Sequence, residues 1–372
     1  PFVGDDIDRA TLDRLCDEAY ATFRHPATVP LVQIDDHHFV QELFHGPTLA
    51  FKDVALQLVG RMFDHVLAQR GERIRIVGAT SGDTGSAAID GVKACANVEI
   101  VILYPHGRTS DVQRKQMTTV HEPNVHNVAV DGTFDDCQDL VKAMFADVAF
   151  RDAVNLSAMN SINWARVMAQ IVYYVTSARA VNQRLGRPLD APVNFCVPTG
   201  NFGNIFAGFA AMRMGLAIDQ LIVASNSNDI LTRWLASGVM EKTGVHPTIS
   251  PSMDIQVSSN AERLLFELYE RNALLLADRM AEFRDEGRVE TGDTRLACEA
   301  ILCLASGTRP SECAPSLRKY FSITARKMSD TIKKRKNFLD LCPVSNQTPE
   351  MSALVSAMSR GAGRCCNWPA VA

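Results

Sequence analysis

Ile74-Arg75-Ile76-Val77-Gly78-Ala79-Thr80-Ser81-Gly82-Asp83-Thr84-Gly85-Ser86-Ala87 is the stretch on which the fold turns. Ile74 to Val77 is a short apolar, β-branched run that reads as a buried strand. The glycine and hydroxyl residues after it read as a turn, and Ala87 to Val92 as the beginning of a helix. A strand, a tight turn and a helix in this order make a βα unit. The rhythm then repeats. Val98 to Tyr104 is a second strand, Asp111 to Thr118 a short polar helix, and Val125 to Val130 a third strand. Asp135 to Asp147 carries Leu140, Val141, Met144 and Phe145 at helical spacing. Alternation of this kind predicts a mostly parallel sheet covered by helices.

A second such region follows. Asn163 to Arg184 is a long helical pattern through Val167, Ile171, Tyr174 and Val175, and Pro192 to Val197 is a strand that ends in Pro198-Thr199-Gly200. Gly203 to Met214 is an alanine-rich helix, Leu221 to Ala224 a strand, and a further helix starts at Asp229. The expected fold class is α/β with two lobes, each a mostly parallel sheet flanked by helices. Residues 1-75 and 160-290 form the larger lobe and 76-159 the smaller one. From 291 to 372 the rhythm dissolves, and this divergent tail holds Cys298, Cys303, Cys313, Cys342, Cys365 and Cys366, six of the ten cysteines.

Composition narrows the function classes. With 372 residues, 47% hydrophobic and 22% charged, the chain has the make-up of a globular protein with a sizeable core. No run approaches the eighteen or so unbroken apolar residues of a membrane helix, so no membrane partner is expected. A formal charge of -4 sets up no global field for nucleic acid, and the run Lys333-Lys334-Arg335-Lys336 reads as a solvated patch. The cysteines lack a CxxC pair or metal-ligand spacing with histidine, and none of the nine histidines follows His246, so no metal is expected. His37 and His38 are neighbours on an apparent strand, pointing to opposite faces, and do not chelate one ion. Reduced thiols without a secretory signal fit a cytoplasmic setting. The first residue is Pro1, so a processed or partial chain is expected.

Four constellations carry chemistry. The first, Glu42-Leu43-Phe44-His45-Gly46-Pro47-Thr48-Leu49-Ala50-Phe51-Lys52-Asp53, leads into a helical pattern through Leu56, Val59 and Met62. It sets Lys52 in a first helical turn, where the macrodipole disfavours a cation. An amine converted to an imine suits that place, and apolar neighbours would lower its pKa. The bland alternative is a lysine that snorkels to water. The second, Gly78 to Ser86, offers backbone amides and a helix end to an anion, or is merely a capped tight turn. It has neither the P-loop ending nor the dinucleotide spacing, which leaves a nucleotide ligand a distant alternative. The third, Pro198-Thr199-Gly200-Asn201-Phe202-Gly203-Asn204, is a second cradle of the same type. In the fourth, Asn160-Ser161-Ile162-Asn163-Trp164-Ala165-Arg166, the arginine can clamp a phosphate, or the polar residues can be caps and Arg166 a surface charge. An amino acid held through an aldehyde cofactor has two anionic handles, its own carboxylate and the cofactor phosphate. Two cradles flanking one lysine match that need.

These stretches resemble, in order, the threonine synthase family of fold type II, tryptophan-synthase-like pyridoxal-phosphate enzymes. The likeness also takes in Phe134-Asp135-Asp136-Cys137-Gln138, Ser252-Met253-Asp254-Ile255 and Ser258-Ser259-Asn260, and it runs from about Pro1 to Glu290. It implies pyridoxal 5'-phosphate as cofactor, with Lys52 as the Schiff-base lysine and Gly200, Asn201, Phe202, Gly203 and Asn204 around the cofactor phosphate. It further implies Ser81, Asp83 and Thr84 at the substrate carboxylate, and Asn160, Ser161 and Arg166 at the substrate phosphate. The implied reaction is that of a lyase acting on a phosphate ester, converting O-phosphohomoserine and water to threonine and phosphate in amino-acid biosynthesis. The N-terminal segment of the family and its Pro-His-Thr-Ala segment, whose threonine approaches the pyridine nitrogen, have no counterpart here. The alternatives are a threonine dehydratase-like lyase of the same fold and an inactive relic that has lost terminal elements.

Overall fold

The computed structural model describes residues 2–269, 271–291, 320–323, 327–339 and 349–360. Cys298, Cys303, Cys313, Cys342, Cys365 and Cys366 lie outside the described residues, as does most of the tail. The chain divides into two compact units, Pro1–Asn228 with Val245–Asn260, and Asp229–Gly244 with Ala261–Ala372.

The first unit opens with helix α1 (Arg9–Tyr20), whose N-cap Asp8 accepts from the Thr11 amide. A small antiparallel hairpin follows, β1 (Leu31–Gln33) and β2 (Phe39–Gln41). His37 and His38 occupy its turn rather than a strand, because the Asp35 carboxylate accepts from both of their backbone amides (2.9 and 2.8 Å) and takes those donors out of any ladder. Helix α2 (Asp53–Arg70) closes at Gly71 in the left-handed conformation. The main sheet comprises β3 (Ile74–Ala79), β4 (Val98–Pro105), β5 (Val125–Val130) and β6 (Leu156–Ser157), in the order β5-β4-β3-β6, with every pairing parallel. Helices α3 (Asp83–Val92), α4 (Asp111–Thr118), α5 (Phe134–Ala146) and α6 (Val148–Ala153) link or flank these strands.

Helix α3 begins four residues before the Ala87 expected from its apolar pattern, at Asp83. Thr80 is the reason: its Oγ1 accepts from the amides of Gly82 (3.0 Å) and Gly85 (2.9 Å), satisfying first-turn donors that would otherwise hold the chain in a loop. Leu56 and Val59 of α2, Ile76 of β3, Ile89 of α3, Ile100 of β4 and Met117 of α4 are essentially inaccessible in one core. Burial of such side chains contributes about 1.5–3 kcal/mol each. Within that core α2 and α3 touch backbone to backbone. A Cβ on Gly91 would stand 2.6 Å from the Leu56 carbonyl oxygen, and one on Gly60 would strike the Gly91 carbonyl. Only glycine at both positions lets the two helices come this near.

Further along the first unit run α7 (Trp164–Arg184), capped by Asn163, then β7 (Val193–Pro198), α8 (Gly203–Arg213) and β8 (Ile218–Ala224). Strands β7 and β8 pair in parallel and form a separate sheet. The Asp254 carboxylate closes this unit by accepting from the side chains of Asn226 (2.7 Å), Asn228 (3.0 Å) and Thr248 (2.7 Å) and from the Thr248 amide (2.9 Å).

In the second unit, α9 (Ile230–Ser237) runs into β9 (Val239–Glu241), and α10 (Ala261–Leu268) and α11 (Ala273–Glu286) precede β10 (Arg288–Glu290), which pairs antiparallel with β9. Thr291 is its knot: its hydroxyl accepts from the Trp234 indole (2.8 Å) and its carbonyl from the Tyr269 hydroxyl (2.7 Å). Two helices, Met328–Leu339 and Pro349–Ser359, lie in the tail. The basic run expected to be solvated is split. Lys333 and Lys334 are exposed, whereas Arg335 is buried, its guanidinium carbon 5.1 Å from the Tyr320 ring centroid and its Nε donating to the Ile323 carbonyl (3.1 Å). The planar guanidinium stacks where an ammonium would stay in water.

Candidate active site

Lys52 stands at the N-cap of α2, and Asp83 is the first residue of α3. The close crossing of those helices brings both starts to one place, and the Lys52 ammonium donates to the Asp83 carboxylate. The lysine is 6% exposed, and its Nζ lies 4.7 Å from the Phe51 ring centroid. Burial lowers its pKa from the usual lysine value. Asp83 opposes the shift, Arg166 assists it through like charge, and Asp53 opposes it. For Asp83, burial works upward, but the charge and hydrogen bond of Lys52 and the hydrogen bond of Ser252 outweigh it and hold the carboxyl below its ordinary value.

The turn before Lys52 is built around Asp53. This carboxylate is wholly inaccessible and accepts from the Thr48 amide (2.8 Å) and hydroxyl (2.7 Å). Burial raises its pKa against those hydrogen bonds. Thr48 is thereby drawn back over the start of α2, and Gly46 lies against Asp53 with no room for a side chain.

The Gly200 to Asn204 turn is held from outside. The Ser258 hydroxyl donates to the Gly200 carbonyl (2.7 Å), and the Asn260 amide and side chain both donate to the Asn201 carbonyl (3.0 Å each). Phe202 takes the left-handed conformation (φ 65°), and no side chain caps α8. The Asn204 side-chain oxygen accepts from Tyr173 and from Tyr174 (3.1 Å), which leaves its Nδ2 as the donor it can offer. Burial pushes both tyrosine hydroxyls to higher pKa, so they act as donors.

One residue joins the two halves. The Ser252 hydroxyl donates to Asp83, while a Cβ on Gly200 would meet the Ser252 carbonyl oxygen and the Met253 Cα, each at 3.2 Å. The Lys52 amine and the Gly200 turn are thus linked through Asp83 and Ser252. Arg166 is 4% exposed on α7 and interacts electrostatically with Asp83 and Lys52. Burial lowers its pKa to about 10, and its Nη1 is buried with no hydrogen-bond partner. A buried cation with an unused donor is costly unless an anion arrives to take it.

The remaining expected residues divide. Ser161 belongs to the assembly: its hydroxyl bonds Ser259 Oγ (2.9 Å), and its carbonyl accepts from Asn260 (2.9 Å). Asn160 is exposed and caps locally, accepting from the Ile162 amide (3.0 Å). Thr84 Oγ1 lies 3.5 Å from Asp83, and Ser81 is exposed on the same turn. Asp83, expected at the substrate carboxylate, is hydrogen-bonded to Lys52 and to Ser252. Ser252, Ser258, Asn260 and Thr80 had no assigned role in the sequence reading. The polar triple Ser258-Ser259-Asn260, set directly before the amphipathic helix α10, was the available signal for two of them. Among the described residues, no three His, Cys, Asp or Glu side chains gather as a metal set.

Comparison with known proteins gives the chain's family. The profile of the family described as pyridoxal-phosphate dependent enzyme matches residues 24–308. A second profile, TrbM, matches residues 289–368, the stretch where the βα rhythm stops. The chain is 55% identical over 295 residues to threonine synthase of Pseudomonas aeruginosa, covering 79% of this chain and 62% of that protein. It therefore spans less than two thirds of that relative. A crystal structure of PLP-bound threonine synthase from Brucella melitensis superposes with a TM-score of 0.74 at 44% identity, covering 98% of this chain and 87% of the other. Threonine synthase from yeast superposes at 0.71 with 38% identity, covering 97% and 71%. A buried lysine at a helix start, an uncapped glycine turn tied to it and these matches together place the chain in the pyridoxal-phosphate dependent enzyme family, on its threonine synthase branch.

Proposed function

We propose that this chain converts O-phosphohomoserine and water to threonine and phosphate, with pyridoxal phosphate carried on Lys52. The observation that carries the reading is the connection of a buried amine, itself bonded to Asp83, to the Gly200 turn through Ser252. Gly200, Asn201, Phe202, Gly203 and Asn204 would hold the cofactor phosphate at the uncapped start of α8, where amides and the helix dipole favour an anion. Ser81, Thr84 and the amides of their turn would hold the substrate carboxylate. Arg166, with Ser161 and Asn160 nearby in sequence, would meet the substrate phosphate, and its unpartnered Nη1 supports that assignment.

Pyridoxal phosphate, when bound, supplies an aldehyde for the lysine amine and a ring that takes up the electrons released at the substrate Cα. The chain's own part is proton handling and charge placement. Lys52, neutral once its proton is shed, removes the Cα proton and then moves the Cβ proton. Phosphate leaves Cγ towards Arg166, a cation already desolvated and so stronger in its effect on developing charge than one in water. Water adds at Cβ, and protons return at Cγ and Cα. Asp83, beside the amine, stays a carboxylate and steadies the ammonium form of Lys52 between these transfers.

A threonine dehydratase-like reaction would use the same lysine but has no phosphate to place against Arg166, which favours the first reading. Two lobes, 1-75 with 160-290 and 76-159, remain part of the proposal, supported by the separate parallel sheets β3–β6 and β7–β8. A cytoplasmic setting is proposed from ten cysteines that lack disulfide or metal-ligand spacing; no described helix is long and apolar enough to cross a membrane. Purified protein given pyridoxal phosphate should gain visible absorbance and release phosphate from O-phosphohomoserine. Lys52→Ala should lose both together, and retained turnover in that variant would refute the assignment.

A further inference from the structure

Ser252 lies on the short 3-10 turn Pro251–Met253, far in sequence from Asp83 and Gly200, which it meets. The turn is rigidly tethered. Asp254, two residues on, is bonded to Asn226, Asn228 and Thr248, and the Met253 amide donates to the Ser250 carbonyl (2.9 Å). The serine carbonyl abuts Gly200, so the side chain has a fixed base from which to reach Asp83. It reaches the same carboxylate oxygen, Oδ2, that accepts from the Lys52 ammonium.

We propose that Ser252 is a positioning residue for Lys52: by taking part of Asp83 Oδ2, its hydroxyl limits how firmly the carboxylate holds the lysine proton. This rests on the reading of Lys52 as the cofactor-bearing amine, which must become neutral to work. A carboxylate oxygen that gives part of its charge to a hydroxyl donor attracts a neighbouring ammonium less. Without the hydroxyl the whole oxygen turns to Lys52, and the amine keeps its proton to higher pH. The other charged groups facing the pair are Arg166 on α7, which pushes the proton off, and Asp53 on α2, which retains it; neither contacts Ser252 Oγ in the described hydrogen bonds.

The test uses the full chain without cofactor. The pH dependence of Lys52 labelling by trace acetic anhydride, read by mass spectrometry of the Lys52 peptide, reports the proton on that amine directly. Ser252→Ala should move the midpoint about half a pH unit to the alkaline side, which is about threefold slower labelling at any pH below it. Ser252→Thr, which keeps a hydroxyl, should follow the wild type. An unchanged or acid-shifted midpoint in Ser252→Ala, or an alkaline shift of the same size in Ser252→Thr, overturns the proposal. Ser252 is exposed, so a melting temperature equal to the wild type is expected for both variants. Absorbance on addition of pyridoxal phosphate to the wild type is recorded in parallel. Its absence would overturn the proposed function while leaving the labelling midpoints to decide the role of Ser252.

Discussion

Two turns of this molecule share one local grammar, strand then glycine-rich loop then helix, and use it in opposite ways. The turn between β3 and α3 spends its own donors: Thr80 accepts from the Gly82 and Gly85 amides, and Asp83 is engaged by Lys52 and Ser252. The turn between β7 and α8 is clamped by its carbonyls instead, with Ser258 and Asn260 on Gly200 and Asn201. Because the C=O and N–H of a trans peptide point in opposite directions, pinning those carbonyls outward turns the following amides the other way. The first turn is a self-satisfied acid that grips a lysine. The second leaves the start of α8 without a side-chain cap. The side chains around each turn, not its glycines, make the difference.

The comparison is sharpened most by the cation that faces the first turn. Arg166→Met should lower phosphate release by about 10²–10³-fold, the effect of removing a preorganised donor at a developing anion. It should leave the fold as stable or slightly more so, since an unpaired buried charge goes with it; a strong fall in melting temperature would contradict this. At the open turn, Gly200→Val should weaken pyridoxal phosphate binding by about tenfold or more, roughly 1.4 kcal/mol, as read by absorbance titration. The reason is that its Cβ already meets Ile255 at 3.0 Å and Met253 at 3.2 Å. Unaltered affinity would break the distinction between the turns. At the closed turn, Thr80→Val should cost about 1–3 kcal/mol in urea unfolding, by orphaning two buried amides, with cofactor affinity per folded molecule nearly unchanged. The smallest effect concerns pH. Asp83 is held below its ordinary value, so the stability it adds is complete above the unfolded carboxyl value of about 3.9 and is lost as pH falls through the folded value. Asp83→Asn should flatten that acid limb of the melting temperature against pH, while an unchanged limb would deny the pair its role.

Much of the fold was legible in advance. Val125 to Val130 and Asp111 to Thr118 have in the structure the limits their patterns predict, and Ser110 fixes the start of that helix by accepting from the Gln113 amide. The start of α3 was not, since Thr80-Ser81-Gly82 reads as loop by composition and only the Thr80 cap makes Asp83 helical. Of the site, Lys52 at a helix start and the glycine turn before α8 were readable. The contact of Asp83 with Lys52 was not readable, because a residue type alone says nothing of which cation lies opposite. Arg335 was misjudged for the same reason: a run of basic residues reads as solvated, and the Tyr320 ring that covers one of them lies fifteen residues away.

The sequence by itself determined which segments become strands and helices and where glycine interrupts them, because periodicity and turn chemistry act over a few neighbouring residues. Only the tertiary structure decided that Lys52 meets an acid 31 positions away and that the acid meets a serine 169 positions further on. Those contacts depend on two helices crossing at Gly60 and Gly91 and on a tethered turn closing over them. Packing geometry of that kind has no local signature in the chain.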